Sequence, residues 1–331
     1  MRSTGWSSNL VDVKFVHAER LMTLQQLLQD QHIVILDGAL ATELERYGAD
    51  LQHSLWSARY LLTEPERIER VHRDYLDAGA QILITASYQA TIPGYLNHGY
   101  STEDAHAAIR TSVALARAAC RAWHDAHPEI SSRRLVAGSV GPYGAYTADG
   151  GEYRGNYGLS SEQLIAFHLP RIKTLAAAGV DFIACETIPD LHEAEALAQC
   201  VAMIPGLTCW MAMSCRDGGH CNAGQSIELV AQRMQTYACV AAVGVNCTDP
   251  RFVTDIVRRF AQHTDKPIVA YPNSGESYNA VSKSWSGTVS CSDYVEAARA
   301  WVDAGARIVG GCCRTTPEHI AGLAAFYLPT E

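Results

Sequence analysis

Short apolar runs rich in β-branched residues recur eight times along the chain, and the segments between them show helical periodicity. The runs are His32–Asp37, Gln81–Ser87, Leu135–Val140, Asp181–Glu186, Leu207–Ser214, Ala241–Asn246, Pro267–Tyr271 and Arg307–Gly311. Over Pro65–Leu76, one of the intervening stretches, Ile68, Val71, Tyr75 and Leu76 share a face while Glu66, Glu69, Arg70 and Arg73 fall elsewhere, which predicts a helix. A joint repeats as well: Leu76-Asp-Ala-Gly-Ala80, Leu175-Ala-Ala-Ala-Gly-Val180 and Val302-Asp-Ala-Gly-Ala306 each close a helical pattern directly before a strand. A glycine just past a helix supplies the left-handed residue that turns the chain into the next element.

Strands alternating with helices predict a parallel sheet buried on both faces. Eight such units close into a (βα)8 TIM barrel, and an open doubly wound sheet is the competing architecture. The strand ends favour the barrel, because Asp37, Tyr88, Gly141, Glu186, Cys215, Cys247, Asn273 and Cys312 all stand there. A barrel gathers those ends on one face, where barrel enzymes keep their active sites. Two long polar loops, Tyr143–Ser160 and Asn273–Ser290, also follow strands and elaborate that face. The expected organisation is a variable N-terminal extension over 1–23 and one barrel domain over 24–331.

Composition agrees with that plan. The chain has 331 residues, 48% hydrophobic and 18% charged, a length that barrels use as one domain. Its net charge of -9 argues against nucleic acid and anionic membranes as partners. Met1–Met22 lacks the apolar core of a signal peptide, and no run approaches the ~18 apolar residues of a membrane span. The 11 cysteines are odd in number and sit in a large chain, so a reducing cytoplasm is the expected setting. Cys120, Cys185, Cys200, Cys209 and Cys239 fall inside apolar segments as small hydrophobes. Cys215, Cys221, Cys247, Cys291, Cys312 and Cys313 do not. Nothing in the pattern sets an oligomeric state.

Among those, Cys247 ends one predicted strand and Cys312-Cys313 another, behind Gly310-Gly311. Three thiolates at the mouth of a barrel form the ligand set of an open zinc site, with a position left for substrate. Packing thiols or a vicinal disulfide is the bland reading, and a fourth ligand from Cys215, His220 or Cys221 would close the site into a structural one. Zinc bound by three thiolates acidifies water poorly but holds an incoming thiol as a nucleophilic thiolate. That chemistry suits alkyl transfer to sulfur. Asp37 and Glu186 would face the site as an ammonium receptor, against the plainer roles of a helix N-cap for Asp37 and a rim ion pair for Glu186. The N–H groups of Gly38 and Ala39, opening a helix, could receive a carboxylate. A thiol bearing ammonium and carboxylate is an amino acid. Trp56 and Tyr88 are candidates to meet a cationic methyl donor on their aromatic faces, whereas Tyr143, Tyr146, Tyr153 and Tyr157 read more simply as loop packing. Gly138–Gly144 lacks the Lys-Ser/Thr ending of a phosphate loop, and no strand end offers the lysine of a barrel aldolase.

These segments together resemble the homocysteine S-methyltransferase family. Gly310-Gly-Cys-Cys-Arg-Thr-Thr316 is similar to its C-terminal zinc motif and Val245-Asn-Cys247 to its other zinc-ligand motif. Leu36-Asp-Gly-Ala-Leu-Ala-Thr-Glu43, Ser54-Leu-Trp-Ser57, Thr85-Ala-Ser-Tyr-Gln-Ala90, Ala137-Gly-Ser-Val-Gly-Pro-Tyr-Gly-Ala145, Glu152-Tyr-Arg-Gly155, Ala184-Cys-Glu-Thr187 and Tyr271-Pro-Asn-Ser-Gly-Glu276 follow in family order. The resemblance covers about residues 24 to 326 and is nearest to the branch that uses S-methylmethionine. It implies a zinc-dependent (βα)8 enzyme that moves a methyl group from S-methylmethionine, or a related sulfonium, to homocysteine and forms methionine. It also implies that Cys247, Cys312 and Cys313 hold zinc and that Asp37 and Glu186 hold the homocysteine ammonium. The chain departs from the family pattern at Trp210–Cys215, at Gly218–Cys221 and at Asn279, where an aspartate is usual, which bears on donor preference. A closed, non-catalytic zinc barrel and a methyltransferase for another acceptor, such as selenocysteine, are the alternative readings.

Overall fold

The computed structural model of the chain describes residues 24–328, apart from 131, 280–283 and 287–288. The expected extension over 1–23 lies outside the described residues, as does the Asn279 side chain. The chain opens with helix α1 (24–30), strand β1 (Val34–Ile35) and helices α2 (Leu40–Arg46), α3 (Tyr60–Thr63) and α4 (Pro65–Asp77). Then come β2 (Ile82–Ile84), α5 (Ile92–Leu96), α6 (Thr102–Ala126), β3 (Leu135–Val140), α7 (Tyr143–Thr147) and α8 (Ser161–Ala178). The middle of the chain supplies β4 (Phe182–Ile188), α9 (Leu191–Ala202), β5 (Cys209–Met213), α10 (Ile227–Gln235), β6 (Val240–Asn246) and α11 (Pro250–His263). Last are β7 (Ile268–Tyr271), the strands β8 (Ser277–Asn279) and β9 (Ser284–Ser286), α12 (Cys291–Asp303), β10 (Ala306–Val309) and α13 (Pro317–Tyr327).

Each of the eight apolar runs coincides with a barrel strand to within two residues or overlaps most of it. They pair in parallel in the order β1-β10-β7-β6-β5-β4-β3-β2. A parallel bridge between Leu36 and Ile82 joins β1 to β2, so the sheet meets itself and the open doubly wound alternative is excluded. The antiparallel β8–β9 pair lies within the long loop after β7. The predicted helix from Pro65 is α4, and Ile68, Val71, Tyr75 and Leu76 are its buried face. At the repeated joints Gly79, Gly179 and Gly305 all take left-handed φ, at 97°, 94° and 122°, where a Cβ would be strained.

Two apolar layers follow from the alternation of side chains along each strand. Ile35, Val136, Ile183, Met211, Val243 and Val309 point outward to the helices. Val34, Leu36, Ile82, Leu135, Phe182, Trp210, Val269, Tyr271 and Ile308 fill the barrel interior. Leu24, Leu27 and Leu28 of α1 join that inner layer, and Arg307 ties the end of α1 to β10 by donating to the Leu28, Gln31 and His32 carbonyls. Helix α1 therefore plugs the end of the barrel opposite the cysteines. Trp210, one of the departures from the family pattern, packs in the interior against Phe182 and Tyr271 rather than lining the mouth. Among the described residues, no helix is long and apolar enough to cross a membrane.

Candidate active site

The inward-facing positions that fill the core become polar at the strand ends. On β4, Phe182 and Ala184 are interior and the next inward residue is Glu186; on β6, Ala242 is followed by Asn246; on β7, Val269 is followed by Tyr271. Past β10, Cys312 packs against the same inner layer. This period-two geometry places the polar groups over the core as a floor for the mouth.

Cys247, Cys312 and Cys313 converge, with all three sulfur atoms within 4.8 Å of one another. The Cys247 and Cys313 sulfurs are 3.7 Å apart. Tetrahedral zinc with Zn–S bonds of about 2.3 Å needs sulfurs about 3.8 Å apart, so the spacing fits. No other His, Cys, Asp or Glu among the described residues joins this group. Cys215 and Cys221 instead face each other across a bridge in the loop after β5, with the Cys221 thiol 2.8 Å from Gln225 Oε1 and His220 engaged with Asp217. The cluster is thus open. Its protonation tells the same story. Hydrogen bonds from Cys312, Cys313 and Tyr153 hold the Cys247 thiol well below its usual range, while Cys312 and Cys313 are pushed up. Crowded sulfurs ionise together only when a cation shares them, and a divalent metal meets that need.

The turn carrying the cysteines is fixed by close backbone approach. A Cβ on Gly310 would lie 2.6 Å from Leu36 Cβ and 2.8 Å from the Asp37 carbonyl, and one on Gly311 would overlap Thr315. The Cys312 N–H donates to the Pro272 carbonyl, and the Ser274 N–H to the Cys313 carbonyl. Arg314 donates to Glu276 at 2.8 Å and through its backbone to Thr42 at 3.1 Å. Left-handed φ values at Trp56, Thr187, Cys247 and Arg314 put backbone strain around this mouth. Thr187, β-branched and at φ 60°, is clamped by Asn246, whose Oδ1 accepts its N–H at 2.6 Å and whose Nδ2 donates to its hydroxyl at 2.9 Å. The same Nδ2 lies 4.0 Å from the Cys312 sulfur.

Asp37 is 3% exposed, with Oδ2 accepting the Ile84 N–H at 2.8 Å and a buried Oδ1 that has no partner among the described residues. It caps no helix: the N-cap of α2 is Ala39, so the N-cap reading of Asp37 is corrected. Burial, with a smaller push from Glu186, raises its carboxyl well above the ordinary range. Glu186 accepts hydrogen bonds from Ser139, a short one, and from Tyr271 at 3.3 Å, and burial lifts it to about 7. No cation among the described residues pairs with it, so the rim ion-pair reading falls too. Two dehydrated carboxyl groups thus stand together here, and one of them keeps an oxygen with no partner among the described residues. Beside them the Ala39 N–H donates to Thr315 Oγ1 at 3.2 Å and is not available to a ligand. Gly38 has no room for a side chain, since a Cβ would sit 2.8 Å from Tyr75 and 2.9 Å from Thr315.

The aromatic candidates separate. Trp56 and Tyr88 meet edge to face at 6.2 Å. Tyr88 also lies within electrostatic reach of Glu152, Cys247 and Glu186, and burial raises its phenol. Tyr143, Tyr146 and Tyr157 pack among themselves and on Phe167 of α8, as loop packing predicts. Tyr153 does not: its hydroxyl is 3.1 Å from the Cys247 sulfur. Sequence reasoning missed that contact, along with the roles of Asn246, Ser139 and Tyr271. Their positions inside strong motifs were the available signal. Behind Tyr88, fully buried Arg171 donates to the Tyr88 carbonyl at 2.9 Å and the Gly141 carbonyl at 2.7 Å, and meets His168 at 3.1 Å. His168 in turn meets Glu193 at 2.9 Å, and Glu193 accepts the Tyr143 N–H at 2.6 Å. This charged chain ties the ends of β2 and β3 to α8 and α9.

Known proteins are similar to this chain over most of its length. The family model described as homocysteine S-methyltransferase matches residues 34–327. Homocysteine S-methyltransferase of Escherichia coli (strain K12) is 46% identical over 303 residues, covering 91% of this chain and 97% of that protein. Homocysteine S-methyltransferase YbgG of Bacillus subtilis (strain 168) is 44% identical over 309 residues, covering 92% and 97%. Selenocysteine methyltransferase of Astragalus bisulcatus is 44% identical over 314 residues, covering 90% and 93%. The crystal structure of the homocysteine methyltransferase MmuM from Escherichia coli, metallated form, aligns with TM-score 0.83 at 44% identity, over 92% of this chain and 99% of that one. Agreement of this extent, in sequence over most of both chains and in fold, makes the chain an enzyme of the homocysteine S-methyltransferase family.

Proposed function

We propose that this enzyme transfers a methyl group from S-methylmethionine to homocysteine, with zinc held by Cys247, Cys312 and Cys313. The observation that carries the reading is the open cluster of three sulfurs in the same mouth as the unpartnered Asp37 Oδ1 and the buried Glu186. When bound, zinc would keep an incoming thiol deprotonated and nucleophilic at neutral pH. Asp37 and Glu186 receive the homocysteine ammonium. With Ala39 engaged by Thr315, the Gly38 N–H is the group at this turn that serves the substrate carboxylate. Trp56 and Tyr88 present aromatic faces to the sulfonium.

The transfer is an in-line displacement. A carbon–sulfur bond forms between the homocysteine thiolate and the methyl group as the bond to the sulfonium breaks, and the electron pair stays on the leaving sulfur. Methionine departs neutral at sulfur, so no general acid is required. What the protein contributes is alignment of two held reactants. Adjacent reduced thiols suit a cytosolic setting.

A panel of donors, namely S-methylmethionine, S-adenosylmethionine and glycine betaine, offered with homocysteine and scored by methionine formation, tests the reading. Preference for S-methylmethionine that disappears on chelation and returns with zinc is the expected result. Activity that survives complete metal removal would overturn it. Selenocysteine belongs in the acceptor arm, because the Astragalus bisulcatus relative named for it is as similar as the homocysteine enzymes.

A further inference from the structure

We propose that Glu152 receives the α-ammonium group of the methyl donor and so sets the enzyme's preference for amino-acid sulfoniums. The inference rests on the donor reading above and deepens it. Two amino acids meet in this mouth, each bringing an ammonium group that keeps its charge throughout the reaction. Asp37 and Glu186 answer for one of them. The second needs an anion of its own, because desolvating an unpaired ammonium is costly.

Glu152 occupies a short helical turn, Gly151–Tyr153, in the loop after β3. Its carbonyl accepts the Ser214 hydroxyl at 3.2 Å, and the same hydroxyl reaches the carbonyl of Thr187, the neighbour of Glu186, at 3.3 Å. The next residue, Tyr153, touches the Cys247 sulfur. Gly144 packs so tightly under the Gly151–Glu152 peptide that a Cβ there would overlap it, which seats the turn in one place. Held in this way over the mouth, the carboxylate keeps a buried Oε2 with no partner among the described residues. The cation nearest in sequence is committed elsewhere: Arg154 pairs with Asp149 at 2.6 Å and donates to its carbonyl at 2.8 Å. Burial raises the Glu152 carboxyl, as expected for an anion that lacks its counter-charge.

The ammonium, rather than the sulfonium, is the group that this carboxylate suits. Positive charge leaves the sulfonium as the methyl moves, so an anion pressed against it would stabilise the ground state more than the transition state. An anion on the ammonium stabilises both equally and appears in KM alone.

The test pairs Glu152→Gln with removal of the ammonium from the ligand. Binding of S-methylmethionine and of its desamino analogue to the zinc-loaded enzyme is measured by calorimetry, alongside steady-state kinetics. The wild type should prefer S-methylmethionine by about 10- to 100-fold, the range for a charge-assisted hydrogen bond. Glu152→Gln should bind the two ligands alike, with donor KM raised and kcat, homocysteine KM and zinc content unchanged. Glu152→Asp should restore part of the preference. Equal binding of both ligands by the wild type, or an undiminished preference in Glu152→Gln, overturns the proposal, and so does an effect confined to homocysteine. Failure of the wild type to make methionine from S-methylmethionine would remove the donor reading itself, which separates the two failures.

Discussion

Replacing Glu186 by glutamine should stabilise the metal-free protein while weakening its hold on homocysteine. Burial lifts the Glu186 carboxyl from 4.5 to about 7, against hydrogen bonds from Ser139 and Tyr271 that favour its ionised form. At about 1.4 kcal/mol per pH unit, ionising it in the folded protein costs about 3 kcal/mol more than in the unfolded chain. Below pH 4.5 both states hold the proton and nothing is lost. Between 4.5 and about 7 the unfolded chain releases its proton while the folded protein keeps it, so stability falls as pH rises. Above about 7 the full deficit is present. Glutamine keeps the shape and an acceptor for Ser139 but has no charge to bury. Glu186→Gln should therefore exceed the parent by about 3 kcal/mol near pH 8 and converge with it towards pH 4. Urea unfolding of reduced, chelator-treated protein at several pH values measures this. A variant no more stable than the parent near pH 8, or one whose advantage persists unchanged in acid, would refute the reasoning. The same variant should show a raised homocysteine KM, a site built at the expense of stability.

The other expectations concern the rest of the mouth. Cys247→Ser should lose zinc and methyl transfer together, read by metal release to a chromophoric chelator and by methionine formation; a metal-free, active variant would remove the metal role. Asp37→Asn should raise homocysteine KM by about 10- to 100-fold with zinc content intact, because it removes a charge-assisted contact without touching a thiol. Gly141→Ala would set a Cβ 2.7 Å from the Tyr88 ring and should raise donor KM more than homocysteine KM in steady-state assays. Arg171→Met strips the donors from the Tyr88 and Gly141 carbonyls inside a buried charged chain. It should cost about 3 kcal/mol in denaturant unfolding, and a loss below about 1 kcal/mol would mean that the chain is not a structural tie.

Much of this protein is legible from pattern alone. The short apolar runs marked all eight barrel strands, because a parallel strand is buried on both faces and needs a short continuous apolar segment whatever its neighbours are. The Ala-Gly joints gave the left-handed turns at Gly79, Gly179 and Gly305, because that backbone conformation is a local matter. Cys247, Cys312 and Cys313 could be grouped because strand ends converge once the barrel is granted. What remained hidden depends on which groups meet across the mouth. That Asp37 spends one oxygen on Ile84 and leaves the other free, that Thr315 rather than a ligand takes the Ala39 N–H, and that Tyr153 rather than Tyr143 reaches the cluster are outcomes of loops anchored far apart in sequence. The sequence by itself determined the barrel, the family and the grouping of the three cysteines. Only the tertiary structure decided which polar atoms are already satisfied within the protein, and which of those at the mouth, such as Asp37 Oδ1, are left without a partner among the described residues.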